Sequence, residues 1–467
     1  MKFDPQRSWR EAISLFDRGR YKEAHKILKE LIKINNRHPQ LLHLLGICEF
    51  RLGDLATGLS LVRQAVAIAP AMAPTLNDLG NLLVENGETE AALDAYQRAA
   101  VADPNNLQAI VNLARLQVLN TRPDIALEIL DAALSRHSEN LLLRWVRSLI
   151  LLSLQDFLSG WQDYAVRWQL PPTQFDSPRY DFGLQPVSVR PENIPNAPIW
   201  LWKEQGPGDE ILYASVIQAA LQRDWSLHLG CSERLVTLFR RSFPTLRIDA
   251  VESITPSDLA GTKYQMPLAD LASVFRQTPA DFGDGKAFLK PDPTLRDAFR
   301  QRYRLQTAGR PLVGLSWRSN NRFSASAKSP PLQAFAPLLR DLNCTFINLQ
   351  YGASNADLEA LRHTGATILH DETVDPLGDL DHFAAQVAAL DAVVTVSNTT
   401  AHVAGGLGIP TVVLLPAHTG LLWYWFHGTD RSLWYASLRL VRQSRLGDWA
   451  APIAAAAICL NELLAAK

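Results

Sequence analysis

The sequence predicts an α + α/β chain, in which an all-helical repeat array precedes two parallel, doubly wound sheets. Three observations carry this. Small residues recur every 34 positions through the first third of the 467-residue chain. Short apolar runs alternate with helical patterns from residue 198 onward. Between these regions, 169–197 contains Pro171, Pro172, Pro178, Pro186, Pro191 and Pro195 and reads as a linker.

The repeat comes first. Gly19, Gly53 and Gly87 form one column at this spacing. Ala12, Gly46, Gly80 and Ala114 form a second, Ala24, Gly58, Ala92 and Ala126 a third, and Leu31, Ala65, Ala99 and Ala133 a fourth. Ala and Gly let paired helices approach closely, and the Gly19 column falls where the turn between them needs a permissive backbone. With Pro70 and Pro104 closing two units, the pattern resembles the tetratricopeptide repeat (TPR). Residues 1–140 divide into four such repeats, about 5–38, 39–72, 73–106 and 107–140. Residues 141–168, with "GWQDYAVRW", read as capping helices. Such solenoids commonly hold a polypeptide on their concave face, so a polypeptide partner is expected.

Composition narrows the function classes. A net charge of −1 supplies no global field for nucleic acid or an acidic membrane. Cys48, Cys231, Cys344 and Cys459 are scattered, without CxxC spacing, which fits a reducing compartment and no structural zinc. "MKFDPQRSWR" lacks the apolar core of a signal peptide, and "LLLRWVRSLILLSL" is broken by Arg144 and Arg147. A cytoplasmic protein without membrane insertion is expected.

The α/β part begins with the apolar run "PIWLW", the turn "KEQGPGDE" and the helical "ILYASVIQAALQRD". "SLHLG" reads as a strand, and Ser232 with Glu233 opens the next helix. "PLVGLSW", "TFINLQ", "ATILH", "AVVTVS" and "TVVLLP" are later strands. The expected halves are 198–308 and 309–445, followed by a helix at 446–467. In doubly wound sheets ligands lie beyond the carboxyl ends of the strands. Three loops fall there: 206–210, 318–328 and 397–402.

Each loop carries chemistry. At "SNTTAH" a strand hands over to a helix, whose free N–H groups and dipole attract phosphate or carboxylate. Thr399 and Thr400 add hydroxyls, and His402 lies one turn in; Ser397 or Asn398 can equally be a plain N-cap. In "GPGDE", Gly208 permits close backbone approach, and Asp209 is either a general base or a carboxylate complementing the helix dipole. "WRSNNRFSASAKSPP" offers Arg318, Arg322 and Lys328 to a diphosphate, or is a solvated basic loop. Asp379 and Asp381 in "DLD" read as a helix start rather than a metal site.

These residues together resemble a family. "EQGPGDEILYAS", "VGLSW", "FINLQYG", "LDAVVTVSNTTAHVAGGLGIPTVVLLP" and "WYASLRLVRQ…GDW" look like bacterial proteins that fuse TPRs to a GT-B glycosyltransferase domain. The catalytic part is similar to the heptosyltransferases and, more distantly, to O-GlcNAc transferase; flagellin glycosyltransferases share the layout. The resemblance implies a GT-B fold of two Rossmann-like domains, with the acceptor on the first half and a nucleotide-sugar donor on the second. It implies Asp209 as the base, and Lys328, Gly208, Arg318 and Gln350 near the donor. The heptosyltransferase motif Asp-Thr-Gly-x-x-His aligns with Ser397-Asn398-Thr399-Thr400-Ala401-His402, which lacks its Asp and Gly. The Thr399-Thr400 pair instead resembles the phosphate-contacting threonines of O-GlcNAc transferase. Inverting transfer without a metal or other cofactor is expected, to a protein hydroxyl such as one of flagellin. The alternatives are a catalytically inactive scaffold, or transfer to a glycan or lipid.

Overall fold

The structure, a computed structural model, describes all residues except 1–3, 120–121, 176, 181, 188–196, 320–324, 418–421, 446 and 467. Arg322, Pro191 and Pro195 therefore lie outside the described residues. The chain divides into two compact units, 1–150 and 151–467.

The first unit is built of antiparallel helix pairs: Pro5–Asp17 with Tyr21–Ile34, Pro39–Arg51 with Leu55–Ile68, Ala73–Glu85 with Thr89–Ala102, and Leu107–Leu119 with Pro123–Leu134. Proline at the first helical turn, in Pro5, Pro39 and Pro123, starts helices where its missing N–H costs nothing. Asp4 and Asp54 cap two of them, accepting from Gln6 and Arg7 N–H and from Thr57 N–H. The glycine column sits in the inter-helix turns at φ 72°, 103° and 79° for Gly19, Gly53 and Gly87, a left-handed backbone that other residues resist. The small-residue columns lie at the crossings: a Cβ on Gly46 would stand 2.8 Å from the Gly58 carbonyl oxygen. Leu59, Val62, Leu76, Leu79, Leu82 and Leu113 fill the core between successive pairs. Side-chain bonds cross repeats as well, from Asn112 Nδ2 to Asn77 Oδ1 (3.0 Å) and from His43 Nε2 to Asp78 Oδ2 (2.7 Å).

The second unit holds two all-parallel sheets. The first contains β1 (Gln185–Pro186), β2 (Ile199–Trp202), β3 (Leu227–Cys231), β4 (Arg247–Ala250) and β5 (Tyr264–Pro267), in the order β1-β5-β2-β3-β4. The second contains β6 (Leu312–Ser316), β7 (Thr345–Asn348), β8 (Ile368–Leu369), β9 (Ala392–Val396), β10 (Thr411–Leu415) and β11 (Leu438–Arg442), in the order β11-β10-β9-β6-β7-β8. Counted from β6, that order is 3-2-1-4-5-6, the doubly wound arrangement whose crevice opens between its first and fourth strands. Here those strands are β6 and β9, paired through Gly314 and Val393. All residues of β6, β9 and β10 are buried, as parallel strands covered on both faces require. Helix Ala450–Ala465 covers one face, packing Ile453, Ala456 and Leu460 on Val394, Val412 and Leu414.

The segment expected to be a linker contributes to this unit. Gln185 and Pro186 add a parallel edge to β5, and Tyr180, Phe182 and Leu184 pack on Trp200 and Trp202. A proline is tolerated there because an edge strand does not need its N–H. Helix Phe157–Tyr164 and the 3₁₀ turn Ala165–Gln169 are also anchored here, with Trp161 Nε1 donating to the Arg276 carbonyl at 2.7 Å. No helix among the described residues is long and apolar enough to cross a membrane.

Candidate functional site

Two helix starts face one another in this unit. The first follows β2: Gly206 is the N-cap of helix Pro207–Ala214, Pro207 begins it, and Asp209 occupies its first turn. Asp209 Oδ2 accepts the Gly206 N–H at 3.3 Å, a capping bond that fixes its carboxylate at the helix mouth. The second follows β9: Asn398 is the N-cap of helix Thr399–Leu407, which Gly408 terminates in the left-handed conformation. The two meet at Gly208 and His402. A Cβ on Gly208 would lie 2.9 Å from His402 Cδ2 and 3.4 Å from Nε2, so only glycine allows this approach.

Lys328, at the end of the short helix Ala325–Lys328, lies close enough for its charge to act on both Asp209 and His402. It is 3% exposed and makes no ion pair among the described residues. Burial lowers its pKa to about 8, while the nearby Asp209 carboxylate works in the opposite direction. Asp209 is half-buried by exposure, yet its surroundings push its pKa up to about 7. Burial is the main cause, and the negative charge of Glu204 adds to it; the Gly206 N–H and the Lys328 cation oppose. His402 is buried, and burial, aided by Lys328, lowers its pKa to about 3, so it is neutral. Its Nδ1 lies 3.0 Å from the Tyr435 hydroxyl. Three loops from two sheets thus bring together a carboxylate near its pKa, a buried cation and a neutral imidazole.

The other sequence candidates are placed differently. Asn398 turns inward: its Oδ1 accepts from Thr400 N–H (3.0 Å) and Thr395 Oγ1 (3.0 Å), and its Nδ2 donates to Ser316 Oγ (2.9 Å) and the Arg318 carbonyl (3.2 Å). Ala401 N–H bonds the Asn398 carbonyl, so two of the three amides at 399–401 already have acceptors. Ser397 Oγ accepts from Trp425 Nε1 at 2.9 Å. Gln350 Oε1 gathers donors from Ser316 Oγ (3.2 Å), Trp317 N–H (2.9 Å) and Arg318 N–H (2.7 Å). These side chains tie β6, β7 and β9 together at the crevice rather than projecting from it. Arg318 donates to the Gly352 carbonyl at 2.8 Å and lies 3.6 Å from Asp357. Thr399 is half-buried at the helix mouth, and Thr400 is buried behind it. Asp379 is an N-cap, accepting from Asp381 and His382 N–H at 3.0 Å each, while Asp381 pairs with Arg241. The "DLD" stretch is a helix start.

Two cavities open along the strand ends. One of about 280 Å³ lies past β7 and β8, lined by Asn348, Gln350, His370, Asp371, Asp375 and Gln386. The other, about 610 Å³, lies past β2 and β3, where Lys203, Ser232, Arg234 and Glu252 face Gly378 and Asp379.

Sequence reasoning missed the support beneath Asp209. Arg167, fully buried, donates to both oxygens of Glu204 (2.9 and 3.0 Å) and pairs with Asp270 at 2.6 Å; the Ala269 N–H also bonds Glu204 (2.9 Å). Burial alone would lower the Arg167 pKa, but the carboxylates of Asp270 and Glu204 raise it. Tyr213, one turn after Asp209 on the same helix face, meets the Tyr164 hydroxyl at 3.2 Å. An arginine among the aromatic residues of "YAVRW" was the available signal, since a charge there needs a buried partner.

A tetratricopeptide-repeat family model matches residues 10–73 and 77–120, and the helix pairs within that range are such repeats. Over nearly its full length the chain is similar to Protein FlbA of Caulobacter vibrioides, 26% identical over 543 aligned residues that take in 97% of this chain and 89% of that protein. Among solved structures, a thermophilic TPR protein of Thermus thermophilus is 22% identical, with 37% of this chain and 94% of that one covered and a TM-score of 0.32. PilF of Pseudomonas aeruginosa is 17% identical, covering 35% and 75%, with a TM-score of 0.33.

Proposed function

We propose that the protein is a GT-B-type glycosyltransferase that moves a sugar from a nucleotide-sugar donor to a hydroxyl of a polypeptide, flagellin or another surface protein, with inversion. The observation that carries this reading is the meeting of Asp209, Lys328 and His402 between two helix starts, beside the switch point of a doubly wound sheet. In the proposed step the Asp209 carboxylate takes the proton of the acceptor hydroxyl. The freed oxygen bonds to the anomeric carbon as the bond from that carbon to the diphosphate oxygen breaks. Lys328, the Thr399 end of its helix and His402 stabilise the departing diphosphate, a fixed electrostatic arrangement that replaces solvent. A pKa of about 7 suits Asp209 to this work, because a general base is most effective near the working pH. The TPRs support a polypeptide as acceptor.

The test is a thermal-shift screen against nucleoside diphosphates and nucleotide sugars, without added metal. A ligand that binds only the native state raises the melting temperature by mass action. One nucleotide is expected to do so, and Lys328→Ala to abolish the shift. No shift across the panel, together with no donor hydrolysis, rejects the transferase. The inactive-scaffold reading would then stand, favoured by the inward bonding of Ser397 and Asn398.

A further inference from the structure

The tautomer of His402 follows from its one recorded hydrogen-bond partner. The Tyr435 hydroxyl is fully buried, and among the described residues its only hydrogen-bond partner is His402 Nδ1, at 3.0 Å. If Nδ1 carried the proton and donated to the phenol oxygen, the phenolic hydrogen would be left buried without an acceptor. Leaving such a donor unmade costs about 1–3 kcal/mol. The hydroxyl therefore donates to Nδ1, and the proton of the neutral ring sits on Nε2.

The direction of Nε2 is also set. The ring stacks on Trp425 (5.4 Å between centroids, 27° between planes) and meets Tyr424 edge-on at 5.4 Å. Trp425 is itself held by its bond to Ser397 Oγ. Tyr435 packs so closely on the same helix that a Cβ on Gly405 would lie 2.5 Å from its ring. Nε2 and Cδ2 point toward Gly208, at the mouth of the helix that carries Asp209, and Nε2 has no partner among the described residues.

We infer that Tyr435 is a positioning residue: it locks His402 as a neutral Nε2–H donor aimed between the two helix starts, where it bonds an anionic phosphoryl oxygen. The ligand part of this inference rests on the proposed transferase reading. A locked Nε2–H also leaves that nitrogen no lone pair with which to take a proton, so the base role falls to Asp209 alone.

Long-range ¹H–¹⁵N correlation on the full-length protein with labelled histidine reads the tautomer directly. Wild-type His402 is expected to show a protonated Nε2 and a bare Nδ1. Tyr435→Phe is expected to remove that bias and to weaken inorganic pyrophosphate binding about tenfold, the worth of one hydrogen bond to a charged group. A protonated Nδ1 in the wild type overturns the inference, and that measurement needs no variant to fold. So does a Tyr435→Phe protein that binds pyrophosphate as well as the wild type. If His402 carries its proton on Nε2 while the wild type binds neither pyrophosphate nor any nucleotide, the tautomer assignment holds and the transferase reading fails.

Discussion

Gly208 and His402 are in contact across two helix starts: a Cβ added to Gly208 would sit 2.9 Å from His402 Cδ2. The neighbour is a buried ring stacked on Trp425, with no room to withdraw. Gly208→Ala must therefore part the helices. Overpacking of this kind costs about 1–3 kcal/mol. The variant is expected to melt several degrees lower and to lose turnover, and an unchanged melting curve would show that the contact yields.

Asp209→Asn keeps the shape of the helix mouth and removes the proposed base. The expected loss in turnover is about 10²- to 10⁴-fold, with donor affinity little changed. Steady-state kinetics together with calorimetric binding of the donor separate the two effects. Intact turnover would assign the base elsewhere.

The pH dependence of kcat/KM should be a narrow bell. In the proposed step Asp209 must be ionised, so the rate is expected to rise through its pKa of about 7. In the same proposed step Lys328 must be charged to hold phosphate, so the rate is expected to fall as pH passes about 8. Lys328→Ala should lose the alkaline limb along with donor affinity. A flat profile from pH 6 to 9 would contradict both assignments.

Lys328 also predicts a stability difference without ligand. Its folded pKa, about 8, lies below its ordinary value of 10.5, so the unfolded chain holds more protons between these values. Stability of the wild type therefore rises with pH across that window. Lys328→Met removes the buried ammonium. It is expected to be more stable than the wild type below pH 8, by on the order of 3 kcal/mol, with the gap closing toward pH 10.5. Urea titrations of both proteins at several pH values check this.

Arg167 serves two buried acids, Glu204 and Asp270. Arg167→Met strands both and is expected to cost about 3–5 kcal/mol. Adding Glu204→Gln and Asp270→Asn should recover much of that loss, because no uncompensated charge then remains. Denaturant unfolding of the single and triple variants decides between this and simple loss of packing, which the added changes would not repair.

The amino-acid sequence by itself determined the local structure and which polar residues lie at the strand ends. A 34-residue period places small residues at helix crossings and glycine in left-handed turns, because those constraints act residue by residue. Likewise, a buried parallel strand reads as an apolar run, and the turn after it as glycine and polar residues. Asp209, Lys328 and His402 were legible as candidates because each lies on a short segment just past such a strand end, in the first turns of a helix or at the end of a short one. Only the tertiary structure decided which side chains on those turns face the crevice. Ser397, Asn398 and Gln350 turn inward because the carboxyl ends of β6, β7 and β9 converge, and polar atoms buried there must find one another. Arg167 belongs to Glu204 and Asp270, and Tyr435 to His402, through contacts between residues 33 to 103 positions apart. Periodicity within one element carries no information about such pairs, because they exist only once distant elements have packed together.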